Sequence, residues 1–369
     1  MAELDFVQRL RAWSYRRQGF DTSLPDPLAV LDRIVGVYST NPSGALSLLA
    51  RLPNLTPEDV LSLDKQGGAV RFPNMHGSTH LVPIDFAGAI HGATRVDPAR
   101  FAPQLRTVGL DLDSYQALKP ELLSQLQQPV DARSIKKTLG VGAAELLAIR
   151  TMARDLLVLR IANSVRTDQL AYVATEAWLG RPIESGDEAR SLSQLAERYL
   201  RGFGPARIQD LAWWIPASQL RLRSALSWLD LIEVSPGYLL PADLEADFWS
   251  VAPIDPYEIR ILPKWDAWAM GYAPDGRGRM AKDAHLPFVY STTETSANTA
   301  SGDGWPIILR GGRAVARWES RFVRRCLDLT IMPFSGEQVA GSETRDGFER
   351  IASFLGCADL NIFPENRDR

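Results

Sequence analysis

The sequence predicts an α+β protein made of three tandem winged helix-turn-helix modules and a β-rich C-terminal part. Helix, tight turn, helix and strand follow one another in residues 198–234, and the same order of elements recurs in two earlier stretches. Residues 305–318 have the cleanest β-hairpin pattern in the chain. Such modules usually bind nucleic acid, although the same pattern also suits a helical module used for packing or protein contact.

The third of these modules has the clearest local signals. Gly204 can end its first helix, and Pro205 suits the first turn of the second helix. Pro216 breaks the chain before a third helix. That helix has one apolar stripe, formed by Leu222, Ala225, Leu226 and Leu229. Arg221 and Arg223 lie off the stripe, and we expect them to contact DNA.

The recurring elements divide the chain into four units, which we expect at 1–125, 126–190, 191–250 and 251–369. In the first unit we expect helices at 3–18, 28–35 and 44–51 (the last capped by Ser43), an extended segment at 37–41 and strands within 70–83. In the second unit we expect helices at 134–139 and 143–154 and a hairpin formed by 156–161 and 169–174.

The last unit differs in composition from the others. Residues 257–262 are strand-like, and Gly311-Gly312 between two strand-like runs predicts a tight hairpin turn. Residues 292–304 contain few apolar side chains and are expected to form a mobile loop, whereas 342–355 are expected to form a closing helix. The sequence therefore places most of its β-structure after residue 251.

Composition limits the class of protein. The chain has 369 residues, 45% of them hydrophobic, and a net charge of −3, so any DNA-binding surface must be a local basic one. Glu3 and Asp5 argue against a signal peptide, and no apolar run is long enough to span a bilayer. Two cysteines in such a chain suit a reducing cytoplasm. We expect a cytoplasmic, nucleoid-associated monomer without contact to membranes.

An arginine run begins in the C-terminal hairpin and continues after it, and in sequence it is opposed by one acid, Glu319. It comprises Arg310, Arg313, Arg317, Arg321, Arg324 and Arg325. The planar guanidinium group suits bidentate contacts with phosphate, so the run predicts a phosphate-binding surface. The alternative is a solvated face held by salt bridges.

His76 and His80 are four residues apart, but Gly77 and the strand-like surroundings argue against a helical metal site. We expect them to line a groove that binds DNA, or to be structural histidines bonded to backbone. The sequence has no glycine-rich phosphate loop and no nucleophile elbow. We therefore expect no metal and no cofactor.

Four motifs together resemble the AlkZ-like family of bacterial DNA glycosylases. They are the run Arg-Tyr-Leu-Arg-Gly-Phe-Gly-Pro at 198–205 with its continuation to Trp214, the hairpin Met75–Pro83, the strip Leu262–Tyr272 and the hairpin Ile307–Trp318. Their order matches that of the family over about residues 4–355. The resemblance implies a C-shaped molecule in which the winged-helix units and the β-rich part surround a basic DNA channel.

Characterised members of that family excise alkylated bases, some from interstrand crosslinks, with a Gln-x-Gln or Gln-x-Asp motif. The two motif positions match Tyr38 and Thr40, which keep the spacing on one face of an extended segment but not the chemistry. Hydroxyl groups can orient a water molecule but are weak bases near neutral pH. Asn41 supplies an amide next to them, and Asp266 is the channel carboxylate that the resemblance suggests.

Three functions remain open from the sequence. The first is a divergent monofunctional glycosylase for alkylated cationic purines or crosslinks that uses Tyr38, Thr40, Asn41 or Asp266. The second is a winged-helix protein that binds duplex DNA without excising a base. The third is a protein-interaction scaffold, which the net negative charge and ten tryptophans permit but the arginine run disfavours.

Overall fold

The computed structural model describes residues 4–21, 24–40, 42–167, 169–290, 303–339 and 341–364, and it is an α+β structure as expected. Its first elements are α1 (Phe6–Arg17), α2 (Pro27–Arg33), β1 (Val37–Tyr38), α3 (Ser43–Leu49), α4 (Pro57–Lys65), β2 (Ala69–Pro73), β3 (Thr79–Pro83) and α5 (Ile84–Thr94). The strands form an antiparallel sheet in the order β1-β3-β2.

The packing of α3 against β1 depends on Gly44. A Cβ atom at this position would lie 2.3 Å from the carbonyl oxygen of Tyr38, so only glycine allows the helix to approach the strand this closely. The expected cap by Ser43 is wrong, because Pro42 occupies the N-cap position and provides no side-chain hydrogen bond. The start of α3 and its close contact with β1 therefore depend on tertiary packing and not on a local cap.

The second group of elements has a buried core of its own. It comprises α6 (Ala102–Arg106), α7 (Leu112–Gln125), β4 (Val130–Asp131), α8 (Ile135–Leu139), α9 (Ala143–Met152), β5 (Val158–Ala162), β6 (Leu170–Ala174) and α10 (Thr175–Leu179). Its sheet has the order β4-β6-β5, and its apolar cluster extends from Leu105 to Ala174. This cluster begins about twenty residues before the boundary that the sequence predicts, because α6 and α7 belong to it.

The next elements begin with the longest amphipathic helix of the described chain. They are α11 (Glu188–Phe203), α12 (Ile208–Trp214), α13 (Gln219–Leu226), β7 (Leu231–Ser235), β8 (Tyr238–Pro241) and α14 (Glu245–Trp249). On α13, Leu222, Ala225 and Leu226 are buried, while Arg221 and Arg223 are exposed, as the stripe predicts.

The C-terminal part is a five-stranded sheet with helices around it. Its elements are β9 (Ile259–Leu262), α15 (Ala267–Met270), α16 (Leu286–Val289), β10 (Ile307–Arg310), β11 (Arg313–Val323), β12 (Cys326–Pro333), α17 (Ser342–Phe354) and β13 (Asp359–Pro364). The order is β13-β12-β11-β10-β9, and the β12–β13 pair is parallel. Gly311 and Gly312 form the predicted hairpin turn, both with positive φ.

One large apolar cluster, which extends from Tyr15 to Leu355, joins all four units; the second unit contributes residues such as Leu159 and Val173. Close helix contacts help to form it: a Cβ atom on Gly202 of α11 would lie 2.2 Å from the carbonyl oxygen of Arg33 on α2. The units are thus packed together rather than separated by solvent, and the boundaries between them stay a prediction. No helix in the described part of the chain is long and apolar enough to cross a membrane.

Candidate functional site

Two cavities meet at Tyr38. The first, which we call the polar cavity, has a volume of about 440 Å³ and is lined by side chains such as Thr40, Arg160 and Trp265. The second, the aromatic cavity, has a volume of about 380 Å³ and is lined by Met75, His76, His80, Trp213 and Trp214 among others. Tyr38, Met270 and Asp303 line both. A bound molecule could therefore occupy both cavities at once, with its centre at Tyr38.

Tyr38 is fixed between two aromatic side chains. The register of β1 against β3 pairs it with His80, and the two ring centroids are 4.3 Å apart. The ring of Trp265 lies 6.2 Å from it on another side. Burial raises the pKa of Tyr38 to about 12, and the negative charge of Asp303 acts in the same direction. The phenol therefore stays protonated at neutral pH, and it can donate a hydrogen bond but not act as a base.

Thr40 shares the polar cavity with Tyr38, as the spacing of two residues predicts. Between them, Ser39 is buried; its amide donates to the carbonyl oxygen of Thr79 over 2.9 Å, and its hydroxyl accepts a hydrogen bond from Arg71 over 3.2 Å. In the described part of the chain, the hydroxyl groups of Tyr38 and Thr40 have no hydrogen-bond partner. Asn41 lies outside the described residues.

Asp303 is the carboxylate of this site, and sequence reasoning missed it. It accepts a hydrogen bond from the indole Nε1 of Trp265 over 3.0 Å, and the Lys264 ammonium lies 4.0 Å from its other oxygen. Within the described ranges, it is the one carboxylate that lines either cavity. It falls inside the segment 292–304 that the sequence assigns to a mobile loop. The only available signal was its place, an acid just before the C-terminal hairpin.

Asp266, which we expected to face a channel, is instead wholly buried. Both its oxygens accept from the guanidinium group of Arg51, over 2.8 and 3.0 Å, and it also caps α15 at the amide of Trp268. Neither of the two cavities is lined by it. The side chain is oriented by its ion pair with a distant part of the chain, and the expected place in a channel is wrong because that pair holds it in the interior.

His76 and His80 both line the aromatic cavity. A ring nitrogen of His76 lies 2.9 Å from the carbonyl oxygen of Trp213, and one of His80 lies 3.1 Å from that of Ser78. Burial lowers the pKa of His80 to about 4, so this ring is neutral at pH 7. In the ranges that the structure describes, no group of three or more His, Cys, Asp or Glu residues could hold a metal ion.

Two residues of the site have strained backbone conformations. His76 has φ of 52° and Trp265 has φ of 60°, in the left-handed region that bulky side chains rarely adopt. The strain is compensated locally: the amide of Trp265 donates to the carbonyl oxygen of Gly304 over 3.2 Å. Such residues persist only where surrounding contacts fix them, and they concentrate at functional sites.

Basic side chains border the polar cavity. Arg160 lines it, and its Nη1 donates to the Thr79 hydroxyl over 2.5 Å. Burial lowers the pKa of Arg160; the phenol of Tyr172 acts against this shift, and the positive charges of Arg150 and Arg154 add to it. Arg160 was not among the expected site residues.

The arginine run is more neutralised by acidic side chains than its sequence suggests. Among the arginines that we expected to bind DNA, ion pairs join Arg221 to Glu188, Arg310 to Glu337, Arg317 to Glu319 and Arg321 to Asp328. Arg223, Arg324 and Arg325 are exposed, and Arg313 is half-buried. The expectation that the arginine run is nearly unopposed is therefore wrong. Two of its acidic partners, Asp328 on the facing strand β12 and Glu337, lie outside residues 310–325.

Of these arginines, Arg317 is connected to the site by aromatic rings. Its guanidinium group lies 4.9 Å from the centre of the Trp305 ring, and the Lys264 ammonium lies 5.3 Å from the same ring. Lys264 also lies 4.3 Å from the ring of Trp265. Arg317 and Lys264 therefore form a basic rim beside Asp303. Arg221 has no such connection, since its partner Glu188 lies at the start of α11.

The described site thus combines one carboxylate, aromatic rings and a basic border around two adjoining cavities. The chain belongs to the AlkZ-like DNA glycosylase family, whose model matches residues 31–354. The resemblance stated from the sequence is thereby confirmed.

A solved structure has the same fold. The Streptomyces sahachiroi DNA glycosylase AlkZ superposes with a TM-score of 0.70 at 17% sequence identity, over 99% of this chain and 100% of the other. A search of curated proteins found no match. At this identity the structural likeness establishes the fold, and the chemistry must be argued from the residues of this chain.

Proposed function

We propose that this protein is a monofunctional DNA glycosylase that hydrolyses the N-glycosidic bond of alkylated, cationic purines in duplex DNA, crosslinked ones included. The observation that supports this most is the position of Asp303, a carboxylate beside Tyr38 at the junction of two cavities. Tandem winged-helix units around a C-shaped DNA channel, as the family resemblance implies, are part of the same proposal.

Asp303 would supply the electrostatic part of catalysis. Loss of the base leaves positive charge on the sugar, and a nearby carboxylate lowers the energy of that transition state. The same carboxylate can orient and deprotonate the attacking water. The hydroxyl groups of Thr40 and Tyr38 can hold that water, since both lack a partner within the described chain. Tyr38 acts here as a neutral group because its pKa is about 12.

The kind of base that can leave depends on whether the described part of the site offers a proton donor. A neutral base leaves slowly unless an acid protonates it, and His80, which lines the aromatic cavity, is neutral at pH 7 because burial lowers its pKa to about 4. An alkylated purine already carries a positive charge and leaves without a proton. We therefore expect activity on N7- and N3-alkylpurines and little on uracil or undamaged bases.

The DNA backbone would bind along the basic border of the polar cavity. Arg160 lines the cavity itself, and Lys264 and Arg317 lie on the rim beside it. Arginine forks suit phosphate oxygens. Arg317 is paired with Glu319, as Arg221, Arg310 and Arg321 are with other acids, but of these four only Arg317 lies beside the ring of Trp305 at the rim.

A panel of lesion-containing oligonucleotides tests the reaction. Asp303→Asn should lower the rate of excision of a cationic purine about 100-fold, the size typical of a lost electrostatic group. Tyr38→Phe, Thr40→Ala and Asn41→Ala should each have smaller effects, on the order of tenfold. Asp328→Asn removes a carboxylate on β12 and serves as the matched control. Sodium borohydride should trap no covalent protein–DNA adduct, as expected of a monofunctional enzyme.

Two outcomes would favour the other functions. If no lesion is excised but binding to duplex DNA weakens steeply with salt, the protein is a DNA-binding member without base excision. The hydroxyl groups at Tyr38 and Thr40, where the family motif has amides or a carboxylate, are the observation that favours this alternative. Binding that ignores salt and survives Arg317→Ala would favour the protein-interaction scaffold.

A further inference from the structure

The aromatic cavity has a role that the reaction at Asp303 does not explain. We propose that it receives the alkylated base, turned out of the duplex and stacked on Trp213, while the sugar lies at Tyr38 and Asp303 and the DNA backbone follows the polar cavity. This inference rests on the proposed function, and it assigns base recognition to a particular ring. Its volume of about 380 Å³ is within the usual range for small-molecule sites.

Trp213 is the ring whose surface is available. Its neighbour Trp214 packs into the core, with ring centroids 5.2 Å from Tyr199 and 5.6 Å from Phe203. Trp213 is half-buried, lines the cavity and is fixed through its carbonyl oxygen, which lies 2.9 Å from a ring nitrogen of His76. The guanidinium group of Arg277 lies 5.4 Å from the Trp213 ring but does not line the cavity.

The charges in the lining of this cavity favour a cationic ring over a neutral one. Tyr38 and His80 are uncharged at neutral pH, and Asp303 supplies the one carboxylate of the described lining. Lys264, 4.0 Å from Asp303, and Arg277, 5.4 Å from the Trp213 ring, oppose a bound cation, but both lie outside the lining. A positively charged base stacked on indole gains a cation–π interaction that a neutral base lacks.

The polar cavity on the other side of Tyr38 has the opposite chemistry. Arg160 and the hydroxyl groups of Thr40 and Thr79 line it, and these groups suit phosphate and sugar oxygens. The bond between base and sugar would then lie over the residues that both cavities share. This is where Asp303 can act on the charge that develops on the sugar.

Equilibrium dialysis with N7-methylguanosine and guanosine tests the inference without DNA or excision. At mildly acidic pH the methylated ring is cationic, and we expect it to bind at least tenfold more tightly than guanosine. Trp213→Leu should weaken its binding about tenfold, because stacking on an aromatic side chain contributes about 1–3 kcal/mol per base. Trp213→Phe keeps a ring and should retain most of the affinity. Trp228→Leu, at an exposed tryptophan on another cavity, is the matched control.

The outcomes separate this inference from the proposed function. Selective binding that depends on Trp213, without excision of any lesion, would support the cavity assignment and refute the glycosylase. Excision of cationic purines with nucleoside binding that is absent, unselective or indifferent to Trp213→Leu would refute the cavity assignment alone. Thermal denaturation of each variant shows whether it is folded. If Trp213→Leu is not folded, the preference of the wild-type protein for N7-methylguanosine over guanosine still tests the inference, and its absence would refute it.

Discussion

The buried ion pair between Arg51 and Asp266 gives the sharpest test of whether Asp266 is structural or catalytic. Both side chains are fully buried, and two hydrogen bonds join them. Asp266→Asn keeps the size of the side chain and an oxygen that can cap α15, but removes the charge that balances Arg51. Leaving one charge of a buried pair uncompensated typically costs about 3–5 kcal/mol. We expect a loss of stability of that size.

The assay is urea denaturation of the purified variant, together with excision measured per mole of folded protein. Stability should fall, while the rate of excision by the folded fraction stays close to that of the wild type. Replacing both partners, as Arg51→Met with Asp266→Leu, should recover most of the loss, since an apolar pair needs no charge compensation. Glu349→Gln breaks an exposed pair with Arg345 and should change stability by less than about 0.5 kcal/mol. Unchanged stability with abolished excision in Asp266→Asn would refute the structural role.

Three further predictions follow from the same structure. Gly44→Ala should lower stability by about 2 kcal/mol in a thermal or urea melt, because its Cβ would lie 2.3 Å from the carbonyl oxygen of Tyr38; an unaffected melt would contradict this packing. The pKa of His80 is about 4 in the folded protein and 6.5 in the unfolded chain, so the unfolded chain takes up the proton first as the pH falls. The free energy of unfolding should therefore drop by up to about 3 kcal/mol between pH 6.5 and pH 4, and His80→Asn should flatten this pH dependence. Arg317→Ala should reduce the slope of log affinity for DNA against log salt by about 1, whereas Arg310→Ala, which removes a side chain engaged by Glu337 and by the carbonyl oxygen of Gln338, should leave it unchanged.

Local patterns in the sequence were enough for most elements. The apolar stripe on α13 and the Gly311-Gly312 turn were both predicted, because each depends on residues within one turn of helix or one hairpin. The family was also recognised from four short motifs, and the family model confirms it. Strand β13 was missed, since its parallel pairing with β12 brings together residues far apart along the chain.

The site formed by the two cavities at Tyr38 was predicted in part. The sequence placed Tyr38 and Thr40 together, since alternation along an extended segment suffices for that. It did not find Asp303 or Trp213, which reach Tyr38 from elements more than 170 residues away. The sequence also led us to expect Asp266 in a channel, because nothing near Asp266 in the sequence shows that Arg51 pairs with it in the interior.

What the sequence alone determined is therefore the family, the element types and the local faces of helices and strands, all of which follow from neighbouring residues. Only the tertiary structure decided which charged side chains can reach a bound molecule. Asp266 and Arg310 form ion pairs with residues distant in the chain, whereas Asp303 lines a cavity. The physical reason is that burial and Coulomb interaction depend on distance in space, which sequence separation does not give.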